Sequence, residues 1–437
     1  MCFNDLPEEI IMEIFLHFAT GGTTVTQPSA KAGPLLLIQV CSVWRRVGLA
    51  MQELWSSLAI VTASSHNIPH LELVRLWLVR SGVQPLSLVL TCPVGSGGDP
   101  KEAFDLLLTQ FNRWKDVEIS IDADVAPVCS DIIRGVDTPF LENLSLAWNE
   151  GIEDETCVFS LTAAPRLVTL LWAVFDRNPR TAQIPWSQLI ELYLANPTGQ
   201  EDVIYVFQHC PLLEICYFGS LDLADPASVD APLSPPVLLS NLRQLTLDST
   251  WYWSPVSFIL NSLILPNLEE LDISLETGVR WDQAGFASGF ASLISRSQCS
   301  LETLSLRGVH LQGDDLVPCI QTVSDSLKTL KIYNTDDLLV VVNDNHLSLL
   351  TYGAFAENIC PRLTSITLER CLYSSDGALA KMIESRWKIS GNQGLAALRN
   401  ISVSFGDTQQ ALGHTEDYRR AEQLREEGLD VLLNPVL

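Results

Sequence analysis

An apolar residue, two free positions, a second apolar residue, one free position and a third apolar residue: this small unit recurs along nearly the whole chain. It appears as Trp55, Leu58, Ile60, then less regularly as Leu86, Leu88, Leu90, and again as Trp114, Val117, Ile119. Further copies are Leu141, Leu144, Leu146; Leu167, Leu170, Trp172; Leu189, Leu192, Leu194; and Leu212, Ile215, Tyr217. The series continues with Leu242, Leu245, Leu247; Leu268, Leu271, Ile273; Leu301, Leu304, Leu306; Leu327, Leu330, Ile332; Leu363, Ile366, Leu368; and Leu398, Ile401, Val403. The middle residues are spaced by about 22 to 36 positions, the irregular period of leucine-rich repeats with some long members. One such unit is too small to close its own core, so each must stack on its neighbours.

The last two apolar residues of each unit alternate as a strand does, and the segments between units have helical spacing. The spacing predicts helices over 68–80, with Leu71, Val74 and Leu78 inward and Gly82 as the stop, and over 101–111, 201–208, 255–263, 283–294 and 314–323. Ala164-Pro165, Cys210-Pro211, Leu265-Pro266 and Cys360-Pro361 stand just before the next strand, where a helix must end. Repeated strand and helix give an α/β fold, a curved solenoid with parallel strands inside and helices outside, over 58–437. Residues 222–236 read as a loop insertion and 336–350 as a degenerate repeat; both are candidate partner-contacting loops. Residues 416–427 form a charged amphipathic helix that caps the far end, followed by a last strand within 428–433.

The chain before the repeats, residues 1–57, has a different pattern. Asp5 and Glu8 suit a helix start with Pro7 in its first turn, and Ile10, Ile11, Ile14, Phe15 and Phe18 fall on one apolar stripe. A second helix is expected from Pro34, with Leu37, Val40, Cys41, Trp44 and Val47 on one face. Two short helices cannot cover that much apolar surface between themselves.

The order Leu6-Pro7, Ile14-Phe15, Val40-Cys41-x-x-Trp44, Leu54-Trp55 resembles the F-box, a three-helix module that docks on a Skp-type adaptor in cullin-based ubiquitin ligases. With Leu54-Trp-Ser-Ser-Leu58 and Arg80-Ser-Gly-x-x-Pro-Leu-Ser-Leu88, the whole chain resembles the F-box and leucine-rich-repeat proteins abundant in mushroom-forming fungi. The resemblance implies a non-catalytic adaptor of an SCF-type ligase that captures a protein substrate on its repeats. By motif, it assigns adaptor contact to Leu6, Pro7, Ile10, Ile14, Phe15, Val40, Cys41, Trp44, Leu54 and Trp55, some of which must also serve the local core. The insert 19–33 is longer than the usual turn and lies beside this face. Because Leu54-Trp55 belongs to both modules, the two are expected to pack together. The competing readings are a repeat scaffold with no ligase role, its front helices only a cap, and an enzyme whose site is assembled from distant repeats.

Composition narrows the partners. The formal net charge of -25 repels phosphate backbones and anionic lipid, and the pairs Arg45-Arg46 and Arg419-Arg420 are isolated, so neither nucleic acid nor a membrane surface is an expected partner. The 11 cysteines show no metal spacing and read as buried thiols of a reducing compartment. The first residues lack the pattern of a signal peptide and no stretch is apolar enough to span a bilayer, so a soluble chain in the cytoplasm or nucleus is expected.

Candidate chemistry is sparse, and no cofactor or metal is expected. Val94 to Pro100 is glycine-dense but lacks the ending of a phosphate loop. His66 and His70 have no ligand companions, and Asp314-Asp315 and Asp336-Asp337 converge on no nucleophile. The aromatics Trp148, Trp251, Tyr252 and Trp253 form a candidate substrate patch, since adjacent rings cannot all face inward.

Overall fold

The computed structural model describes residues 6–20, 27–29, 31–61, 71–92, 101–122, 136–149, 160–174, 180, 182–195, 200–221, 235–249, 254–275, 286–309, 316–334, 342–353, 359–387, 396–406 and 412–434. They pack as two compact units, Met1–Asn196 and Pro197–Leu437. The first unit contains the front helices together with the first repeats.

In the first unit, six strands pair in parallel and in chain order: Ser57–Val61, Leu86–Cys92, Trp114–Asp122, Asn143–Asn149, Thr169–Val174 and Glu191–Leu194. Their register is set by the repeated unit. Leu58, Leu88, Val117, Leu144, Leu170 and Leu192 lie side by side in one ladder of buried residues, and Ile60, Leu90, Ile119, Leu146, Trp172 and Leu194 in the next. Each such side chain contributes roughly 1.5–3 kcal/mol by leaving water, and a slip of one residue would turn the whole set outward. The less regular Leu86 copy has one residue fewer than its neighbours. A register shift between Leu86 and Ser87, opposite Trp114 and Asp116, absorbs the difference.

The second unit has eight parallel strands in one sheet: Ile215–Phe218, Gln244–Ser249, Glu270–Leu275, Thr303–Arg307, Thr329–Tyr333, Ser365–Glu369, Asn400–Ser404 and Asp430–Asn434. Here one sequence expectation is corrected. The inward residues of the first strand are Cys216 and Phe218, aligned with Leu245 and Leu247, and the preceding anchor is Leu213. Leu212 is exposed, and Ile215 and Tyr217 lie on the other face of the sheet. Leu212, Ile215, Tyr217 and Leu213, Cys216, Phe218 share the same spacing, and cysteine buries as readily as leucine, so the pattern alone chose wrongly. Val237–Leu238 and Leu263–Ile264 form a separate parallel pair.

The repeat helices Gln200–His209, Ser254–Ser262 and Leu316–Thr322 fall where their spacing places them, Phe286–Ser297 runs three residues past its expected end, and Ala378–Trp387 is a further helix that the spacing does not single out. The helix Leu71–Arg80 differs in its inward face, burying Val74 and Trp77 while Leu71 and Leu78 are half-buried. Part of 336–350 is the helix Asp344–Leu350, begun by a reciprocal cap between Asn343 and His346. The capping helix Thr415–Glu426 and the strand Asp430–Asn434 close the second unit, and Arg425 donates to the carbonyl of Val431.

Two buried arginines, Arg113 and Arg386, and the half-buried Arg296 join successive repeats with no acid partner among the described residues. Arg113 donates to the Gln84 carbonyl and the Ser81 hydroxyl, Arg296 to the carbonyls of Leu263 and Leu260, and Arg386 to those of Leu350, Ile359 and Cys360. Burial lowers the pKa of all three, yet each guanidinium finds the acceptors that such burial requires.

Candidate functional site

Among the described residues, three short α-helices, α1 (Glu8–Thr20), α2 (Gly33–Leu37) and α3 (Ser42–Ala50), and a 3-10 turn at Glu53–Trp55 precede the first strand. The second expected helix is therefore two. The chain breaks after Leu37, and Cys41 restarts it in extended backbone, its Sγ accepting the Trp44 N–H at 3.4 Å. Pro7 stands one position before α1, with its carbonyl accepting from Ile10 and Ile11 at 3.1 and 3.2 Å. Glycine at position 48 lets α3 pack closely, since a Cβ there would lie 2.8 Å from the Ile38 side chain.

The apolar surface of α1 splits into two adjoining stripes. Ile11 and Phe15 are fully buried, and the Phe15 ring meets Trp44 of α3 edge-on at 5.1 Å. The neighbouring stripe, Ile10, Ile14 and Phe18, faces solvent with 47%, 37% and 51% exposure. Val40, just before α3, is 57% exposed, and Leu36 and Leu49 are also exposed. Arg46 pairs with Glu8, tying α3 to the start of α1 beside the exposed stripe.

The residues assigned to adaptor contact therefore separate into three sets. Pro7, Ile10, Ile14 and Val40 are exposed, and Leu6, Cys41 and Trp44 are half-buried. Phe15, Leu54 and Trp55 are buried and are the members of the set that serve the local core. Trp55 donates its indole N–H to the Gly48 carbonyl at 2.8 Å, meets Trp77 edge-on at 4.9 Å, and lies beneath the Arg80 guanidinium at 5.0 Å. It thereby fastens the front helices to the first repeat. Phe18 and Leu36 belong to the exposed set, though the motif does not include them. The signal for Phe18 was present in the spacing of Ile10, Ile14 and Phe18, a second full stripe beside Ile11 and Phe15.

Within the insert, Pro28 is buried, and Gln27 and Ser29 beside it are half-buried. Of the candidate substrate patch, Trp148 contributes backbone to the strand Asn143–Asn149, opposite Ile121 and Val174. Its side chain, together with Trp251, Tyr252 and Trp253, lies outside the described residues. So do Val94 to Pro100, His66 and His70, Asp314-Asp315 and Asp336-Asp337.

One group among the described residues has the composition of a metal site: ligand atoms of Asp376, His414 and Asp417 lie within 4.8 Å of one another. Their hydrogen bonds assign them another role. Asp376 accepts from the backbone N–H groups of Glu416 and Asp417 and from the Thr415 hydroxyl, capping the helix Thr415–Glu426. Asp417 accepts from the Ala380 N–H at 2.7 Å and sits 2.8 Å from His414 Nδ1, capping the helix Ala378–Trp387. Each helix start is thus held by an aspartate of the other repeat, and the carboxylate charge faces helix N-termini instead of a cation.

No family model matches the chain, and no curated protein matches it. Among solved structures, it aligns with a Bacteroides fragilis protein solved as a structural-genomics target, at 16% identity and a TM-score of 0.37, over 67% of this chain and 82% of that one. It also aligns with the crystal structure of the Rad7 and Elc1 complex of yeast, at 14% identity and a TM-score of 0.39, over 91% of this chain and 88% of that one. Likenesses of this size identify no family. Among the described residues, no helix is long and apolar enough to cross a membrane.

Proposed function

We propose that this chain is a non-catalytic substrate adaptor, docking through its front helices on the Skp-type adaptor of a cullin-based, SCF-type ubiquitin ligase and holding a protein substrate on its leucine-rich repeats. The observation that carries the reading is the exposed stripe Ile10, Ile14 and Phe18, beside a local core already filled by Ile11, Phe15, Leu54 and Trp55. Aliphatic and aromatic side chains at helical spacing that the fold itself does not cover are the chemistry of helix docking. Covering the roughly half of each side chain that is still exposed is worth roughly 2–4 kcal/mol for the three together, before the cost of association. Pro7, Ile10, Ile14 and Val40 form the contact, flanked by Leu6, Cys41 and Trp44. The work of such an adaptor is proximity, with the chemistry on other subunits. Its place is the cytoplasm or nucleus.

The test is co-expression with a Skp-type adaptor followed by size-exclusion chromatography, using Ile10→Asp/Ile14→Asp as the partner-deficient variant. Co-elution of the wild type, lost in a variant that still folds, supports the reading. Separate elution of two folded proteins would refute it for that partner. A second reading, a repeat scaffold with no ligase role, is favoured by the contacts of Trp55 with Trp77 and Arg80, which make the front helices a seal on the first repeat. Under that reading the double variant has no binding to lose.

A further inference from the structure

The sheet of the second unit has a face not filled by its own core, and its residues form columns set by the strand register. One column runs Tyr217, Thr246, Asp272, Ser305, Lys331, Thr367, Ser402 and Leu432, and the next runs Asp248, Ser274, Arg307, Tyr333, Glu369, Ser404 and Asn434. Nearly all are polar, and Arg307 and Lys331 are the basic residues among them. Arg307 pairs with Tyr333 across the ladder, while Lys331 lies two positions before Tyr333 and opposite Ser305.

Three features of this spot point outward. In a chain with 52 acidic and 27 basic residues, neither cation makes an ion pair with a described residue, whereas Lys328 and Arg243 nearby are paired with Glu302 and Glu269. The Arg307 side chain is exposed, and its guanidinium lies over the Tyr333 ring at 4.2 Å, which restricts its motion. Burial raises the pKa of Asp272, against the hydrogen bond to Ser305 and the charges of Arg307 and Lys331. Hydroxyls of Ser305 and Thr367 stand in the same column as Lys331. The acids of the face lie to either side, as Asp248 and Asp272 before the cations and Glu369 after them.

We infer that Arg307 and Lys331 form the receiving point for a carboxylate side chain on an extended segment of the captured protein, with Tyr333 holding the arginine in position. The inference rests on the substrate-capture reading of the repeats and names what they select: an aspartate or glutamate carried past the sheet face. Neighbouring strands are about 4.8 Å apart and alternate residues about 6.8 Å apart along a strand, so a single carboxylate between the two columns is within reach of both side chains. Asp248, Asp272 and Glu369 repel a second acid at the flanking positions, which makes the spot selective for an isolated one.

The experiment is fluorescence anisotropy on the full chain with three short labelled peptides of glycine and serine, carrying at the centre one glutamate, one glutamine or one lysine. Non-specific attraction to a chain of charge -25 would favour the lysine peptide, so preference for glutamate reports the local cations. The glutamate peptide is expected to bind about tenfold more tightly than the glutamine peptide, and Arg307→Glu/Lys331→Glu to remove that preference and favour lysine. Tyr333→Leu, which keeps both charges, should weaken glutamate binding less. Equal binding of glutamate and glutamine by the wild type, or an unchanged preference in a double variant with wild-type melting temperature, would overturn the assignment. Co-elution with a Skp-type adaptor should survive the double variant, so this result and that of the docking test are separable.

Discussion

Replacing Arg386 by methionine gives the most direct measure of how the repeats are held together. The guanidinium is 3% exposed and has three backbone acceptors, the carbonyls of Leu350, Ile359 and Cys360. Cys360 itself has a positive φ of 51°, a backbone shape that the surrounding contacts must hold, and the Ser324 hydroxyl accepts its N–H at 2.8 Å. Methionine fills a similar volume but donates nothing, so the three carbonyls lose their partner together. An orphaned buried acceptor costs about 1–3 kcal/mol, and water entering the site recovers part of it. A net loss of about 3–5 kcal/mol follows, within the range for breaking a buried polar network. Arg386→Lys should fall nearly as far, because a single ammonium cannot span three carbonyls as the planar fork does. The comparison is Lys328→Met, which removes only the exposed pair with Glu302, worth at most about 1 kcal/mol. Urea unfolding followed by circular dichroism and tryptophan fluorescence measures all three. An Arg386→Met protein within 1 kcal/mol of wild type would refute the role given to this arginine, as would a Lys328→Met effect of equal size.

Three further outcomes follow from other sites. For Asp376, burial raises the carboxyl pKa, but hydrogen bonds from Glu416, Asp417 and Thr415 outweigh it and the net shift is downward from 3.8. Its stabilising share is therefore present above that value and lost as pH falls through the lower folded one; Asp376→Ala should cost about 1 kcal/mol at neutral pH and progressively less in strong acid, checked by denaturant midpoints across pH. Burial pushes the thiols of Cys210 and Cys360 up to about 12 and about 11, so neither should react with iodoacetamide at mildly alkaline pH while the chain is folded, whereas half-buried Cys41 should; mass mapping of alkylated peptides decides this. Gly82 has φ of +58°, a backbone that alanine adopts only with strain, while the end of the exposed Gln52 side chain 2.5 Å from its Cβ position can swing aside, so Gly82→Ala should lower stability by about 1 kcal/mol in a thermal melt.

The repeat pattern was readable because leucine at fixed spacing is both the cause of the ladders and their sequence trace. It failed at Leu212, where two overlapping sets of apolar residues fit the same spacing and only the pairing of Cys216 with Leu245 decides between them. In the front module, the motif located the helices but not their partition. Phe15, Leu54 and Trp55 resemble Ile14 in composition, and burial is settled by three-dimensional neighbours such as Trp44 and Trp77. The break between α2 and α3 was hidden because Leu37, Val40, Cys41 and Trp44 keep helical spacing across it. The aspartate exchange between the helices at Ala378 and Thr415, and the carbonyl cage of Arg386, join residues about 26 to 41 positions apart and leave no local pattern.

Amide hydrogen exchange of the chain with and without a Skp-type adaptor tests the docking claim most directly. The account predicts added protection over α1 and over Val40 to Ala50, with the strands Thr303–Arg307 and Thr329–Tyr333 unchanged. Protection confined to the repeats, or none anywhere at adaptor concentrations that saturate an established F-box protein, would contradict it.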